Sequence, residues 1–77
     1  MYDLAIFGTN LKRWRQFCGL KQDELAVKVG LSKDTISKIE VAKAEKLGLK
    51  YVIAICNVLD VKIEELFVKD PKIKYKK

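Results

Sequence analysis

The chain has no histidine, two cysteines, one proline and four glycines in 77 residues. Cys18 and Cys56 stand far apart on otherwise apolar stretches, so a structural zinc site, which needs four Cys or His ligands at short spacing, is excluded. They read as two reduced thiols in or near a core. No apolar run approaches the roughly 18 residues that span a bilayer. The opening MYDLAIFG lacks the basic and apolar regions of a secretory signal, so a cytoplasmic protein is expected. Nor is there a phosphate loop, a metal cluster or a nucleophile beside a base. Without them neither catalysis nor a cofactor is implied.

What is present fits one small domain, 49% apolar and 34% charged. The net charge is +6, from 16 basic and 10 acidic residues. Residues 68–77, VKDPKIKYKK, hold five Lys against one Asp, which leaves eleven basic and nine acidic groups over the other 67 residues. The body is therefore only mildly basic. A flexible C-terminal tail supplies most of the sign, so charge alone is weak support for a nucleic-acid partner.

Helical periodicity runs through most of the chain. From Asp3 to Cys18, Leu4, Phe7, Leu11, Trp14 and Phe17 or Cys18 share a face. Gly8 interrupts that pattern at about 1 kcal/mol relative to Ala, which allows a start as late as Thr9 or Asn10. Gly19 ends this helix. A second runs from Lys21 or Gln22 to Val29, with Leu25, Ala26 and Val29 on one side and Asp23 and Glu24 in the first turn. Gly30 stops it, Leu31 anchors the turn, and Ser32 caps a third helix whose inner side carries Ile36, Ile39 and Lys43.

On a helical wheel, Lys33, Asp34, Ser37, Lys38 and Val41 fall within about 140° on the outer side of that third helix. The face is polar and mixed in sign. Taken alone it reads as an ordinary solvated surface. The third helix either overruns Glu40 by a turn or gives way to a loop within Val41–Lys46, since no Gly or Pro appears before Gly48. Beyond it, LKYVIAICNVLD would suit a buried strand by propensity, yet Val52, Ile55, Cys56 and Leu59 have helical spacing, and a helix is expected. A last helical turn or two covers Lys62 to Phe67.

The order is then about five short helices in an all-α bundle over residues 1–67, with the second and third joined by a short turn at Gly30. Such a pair sets one helix across the DNA backbone and the next in the major groove. LKRWR at residues 11–15, GLKQDELAVKVGLSKDTISKIE at 19–40 and VIAICNVLDVKIEELF at 52–67 resemble the lambda-repressor-like helix-turn-helix domains of the Xre and Cro type. The combination of Gln-x-x-Leu-Ala, a Gly-Leu-Ser turn and an Ile-x-x-Ile-Glu ending is specific.

The resemblance implies a double-stranded DNA partner and a role for each matching residue. Lys33, Asp34, Ser37 and Lys38 match positions that face base edges, the same residues the wheel turns outward. Gln22 matches the residue that holds a phosphate at the start of the second helix. Ser32, Lys43 and Lys46 are assigned to the backbone with it, though for the two lysines ordinary solvation accounts for the sequence equally well. Arg15 and Glu40 match an ion pair between the first and third helices. Relatives commonly pair two-fold, which points to Ile53 and Ile63 as a homodimer interface and to a palindromic site. Two departures stand out: Lys21 replaces the usual Ser, Thr or Asn cap, and Ala42 replaces a Gly two residues after the Glu. The expected function is a DNA-binding transcriptional regulator, a repressor or controller protein. Its rival is an antitoxin-like or anti-regulator module that uses the same scaffold to hold a protein.

Overall fold

Four helices among the described residues end in the same way, and those endings set the layout. In the computed structural model, which describes residues 4–44 and 46–68, they are α1 (Leu4–Phe17), α2 (Gln22–Val29), α3 (Lys33–Glu40) and α4 (Leu49–Leu59), followed by a 3₁₀ turn at Ile63–Leu66. After α1, the amide of Leu20 donates to the Arg15 carbonyl and that of Gly19 to Gln16. Equivalent closures join Leu31 to Ala26 after α2, Lys43 to Lys38 after α3 and Val61 to Cys56 after α4. Each needs one left-handed residue, which reverses the chain within two positions and satisfies the last carbonyls.

Those residues are Gly19, Gly30, Ala42 and Asp60, with φ of 73°, 78°, 62° and 56°. The first two are free to adopt the conformation. Ala42 adopts it against its Cβ, at about 1 kcal/mol. This is how α3 stops at Glu40 although VAKAEK is good helix-forming sequence: the left-handed Ala42 lets the Lys43 amide close on the Lys38 carbonyl. Lys43 consequently sits in the loop, exposed, rather than on the inner side of α3 beside Ile36 and Ile39.

The core gathers Phe7 and Leu11 of α1, Leu25 of α2, Ile36 of α3, Ile55 of α4 and Leu66, all without solvent exposure. α2 packs on α3 and α4, while α1 packs on α3 and the 3₁₀ turn. Val52, Ile55, Cys56 and Leu59 are all buried, so the spacing of the fourth segment and not its β-branched content decides its structure. The fifth element is a single 3₁₀ turn, four residues long, and not a full helix. Its Leu66 fills the core and Phe67 tilts over Phe7 at 5.0 Å. Buried Asn10 ties this end down, donating through Nδ2 to the carbonyls of Leu66 (3.0 Å) and Val68 (2.6 Å).

α1 passes straight through Gly8 instead of starting after it. A Cβ at Gly8 would fall inside the contact distance of the Ile39 carbonyl oxygen in the last turn of α3. The missing side chain lets the two backbones touch there. Close packing thus offsets the helix penalty that glycine carries. No helix among the described residues is long and apolar enough to cross a membrane. The basic tail, beyond Val68, lies outside the described residues.

Candidate nucleic-acid interface

α3 owes its position to its two ends. At the N-terminus the amide of Thr35 donates to Ser32 Oγ at 3.1 Å, and the Ser32 and Thr35 hydroxyls share a further bond of 2.8 Å. The Ser32 oxygen is thus occupied as a cap, the role its residue type favours. At the C-terminus, Glu40 turns inward. Arg15 Nε donates to Glu40 Oε2 at 2.6 Å and Nη2 to Oε1 at 3.1 Å, a bidentate pair whose side chains are 9% and 1% exposed. The third guanidinium nitrogen, Nη1, donates to the Leu20 carbonyl at 2.7 Å. Arg15 therefore joins α1, the turn before α2 and the end of α3.

With Ile36 and Ile39 buried, the remaining side of α3 is turned to solvent. Lys33, Asp34 and Lys38 are exposed there and Ser37 is half-buried. Lys38 Nζ lies 3.2 Å from Asp34 Oδ2, one turn apart along the helix. Lys43 and Lys46 follow in the exposed loop. Among the described residues from Ser32 to Lys46, the exposed charges are thus four lysines and one aspartate, on a body otherwise close to charge balance. In the sequence Glu45 stands between Lys43 and Lys46 and offsets part of that charge.

Gln22 opens α2, half-buried, and its Nε2 donates to Glu40 Oε1 at 3.0 Å. Nothing in a single sequence signals this bond, because it joins residues that only the packing of α2 on α3 brings together. Nearby, Glu24 Oε1 accepts from the Lys21 amide at 2.8 Å and Asp23 Oδ1 from the Glu24 amide at 3.0 Å. Lys21 has no acceptor and cannot cap, so these acids cover part of the helix end themselves.

Ile53 and Ile63 both retain exposure, and Leu49, one turn before Ile53 on α4, is 66% exposed. Both cysteines are free, Cys56 buried and Cys18 exposed. Burial pushes each thiol above its ordinary value, aided by Asp60 at Cys18 and by Glu65 at Cys56, which disfavours the reactive thiolate.

Residues 11–66 match the model of a family described as Helix-turn-helix. An uncharacterised HTH-type transcriptional regulator of Methanocaldococcus jannaschii is 40% identical over 58 residues, covering 75% of this chain and 86% of the relative. Among solved structures, the restriction-modification controller protein C.AhdI from Aeromonas hydrophila superposes with a TM-score of 0.77 at 31% identity, over 84% of this chain and 97% of that one. The master regulator for biofilm formation SinR of Bacillus subtilis, solved in complex with DNA, gives 0.72 at 30% identity over 78% and 95%. Taken with the helix pair and its buried clamp, the match shows that the chain belongs to the lambda-repressor-like helix-turn-helix family of DNA-binding transcriptional regulators, which are not enzymes.

Proposed function

We propose that this protein is a repressor or controller protein that binds a palindromic operator as a homodimer, with α3 in the major groove. The observation that carries the reading is the division of α3 into a locked inner side and a free, lysine-bearing outer side. In the groove, Lys33 and Lys38 donate to guanine O6 and N7, Ser37 bonds to several edges, and Asp34 accepts from cytosine N4. Gln22, Ser32, Lys43 and Lys46 lie toward phosphates and fix the register. The lysines of the outer side favour DNA over the antitoxin-like reading, for which an apolar or acidic face would be needed. Cytoplasmic location follows from the same role.

A single domain reads few base pairs, so a two-fold pair is needed for useful specificity. Ile53 and Ile63 form the proposed contact, with Leu49 extending the apolar surface. Sedimentation at micromolar concentration would give the dimer mass, and a monomer at all concentrations would remove this part of the reading. The main test is a salt series of binding to the DNA upstream of the protein's own gene, with footprinting. A steep fall in affinity with salt and a symmetric protected site are expected. Equal binding to random duplex would overturn the proposal.

A further inference from the structure

The bond between Gln22 and Glu40 joins the first residue of α2 to the last of α3, and neither the ion pair nor the phosphate role of Gln22 accounts for it. Glu40 is deeply buried and already holds two guanidinium donors, so its carboxylate has acceptor capacity left and nothing to donate. That chemistry fixes which way the Gln22 amide faces. Only the Nε2 edge can meet a carboxylate; turned over, the amide would set its carbonyl oxygen against Glu40 Oε1. One hydrogen of Nε2 is thereby committed, and the second remains on the same, now immobilised, nitrogen.

The surroundings make that hydrogen matter. At the N-terminus of α2 the Lys21 and Glu24 amides are taken by the carboxylates of Glu24 and Asp23, which also bring negative charge to the place where a phosphate would rest. The helix end is a poorer anion site than bare N–H groups would make it. A phosphate contact here leans on the Gln22 side chain, and so on what orients it.

We infer that Glu40 is a positioning residue for DNA binding, which holds the Gln22 amide with its N–H edge toward the phosphate while Arg15 holds Glu40. The inference rests on the proposed DNA-binding role. Through it the backbone clamp on α2 and the reading face on α3 share one anchor, and a shift at the end of α3 moves both.

Two measurements test it. The chain has two glutamines, Gln22 and the exposed Gln16, so side-chain amide NMR carries its own control. In the free protein the Gln22 NH₂ should be rigid and slow to exchange, and that of Gln16 mobile. Equal mobility of the two overturns the inference without any variant. Next, a duplex selected by the protein from a random pool is prepared with single phosphates replaced by methylphosphonate. One replacement should weaken wild-type binding about tenfold, the size expected for a charge-assisted bond, and leave Gln22→Ala and Glu40→Gln unaffected. If Glu40→Gln folds and stays as sensitive to that replacement as wild type, Glu40 does not position the clamp. Failure of the wild-type protein to bind any duplex would instead sink the DNA-binding role, and the amide NMR still judges the Gln22–Glu40 bond.

Discussion

α3 carries two ion pairs that use the same chemistry to opposite ends. Arg15–Glu40 is bidentate, with side chains 9% and 1% exposed, and is tied by further bonds to Leu20 and Gln22. Asp34–Lys38 is a single contact with side chains 78% and 59% exposed. Water screens the second pair and leaves it close to neutral in energy, so its members exchange partners easily. Breaking the first strands a charge in the core. One pair fixes where the helix sits; the other is available for what it meets.

The largest expected effect comes from splitting the buried pair. Arg15→Ala or Glu40→Ala should lose about 3–5 kcal/mol in urea unfolding, and a loss of a few tenths would mean the pair contributes little. Gly8→Ala comes next, at about 1–3 kcal/mol, because the new methyl must force α1 away from the Ile39 carbonyl. An unchanged unfolding midpoint would contradict that packing.

On the exposed side the effects move from stability to binding. Lys38→Ala should lose about 1–3 kcal/mol on the preferred duplex and relax sequence preference, whereas Lys43→Ala should weaken all duplexes alike and reduce the salt slope by about one. Competition assays with selected and random DNA separate the two. Ala42→Gly should raise stability by about 1 kcal/mol, since it relieves a left-handed Cβ at φ 62°. Smallest of all, Asp34→Ala should change stability by less than about 0.5 kcal/mol while altering which duplexes are bound. A large unfolding penalty at Asp34 would erase the contrast between the two pairs.

The contrast also marks what was legible in the sequence. Periodicity identified the buried faces of α2 and α4 residue by residue, because each is a short amphipathic segment between clear stops. The outer side of α3 followed from the same wheel, and the positions of Arg15 and Glu40 from the resemblance. Two features were out of reach for one reason: each depends on where a second element lies. Gly8 read as a helix defect because its reason is the carbonyl of Ile39. Asn10 reads only as a late start for the first helix, yet it is 1% exposed and holds the C-terminal turn. The end of α3 was ambiguous because Ala42 occupies a conformation that its side chain disfavours. The departure from glycine at that position, visible in the sequence, marks the strain but not the stop.

The central claim is that the outer side of α3 is the part that meets DNA. Backbone amide NMR on titration with a duplex selected by the protein tests it most directly. The account predicts that the largest changes fall on Ser32 to Lys38 and at Gln22, with smaller ones at Lys43 and Lys46. Changes confined to the lysine-rich tail, or centred on Leu49 and Ile53 of α4 with α3 silent, would contradict it.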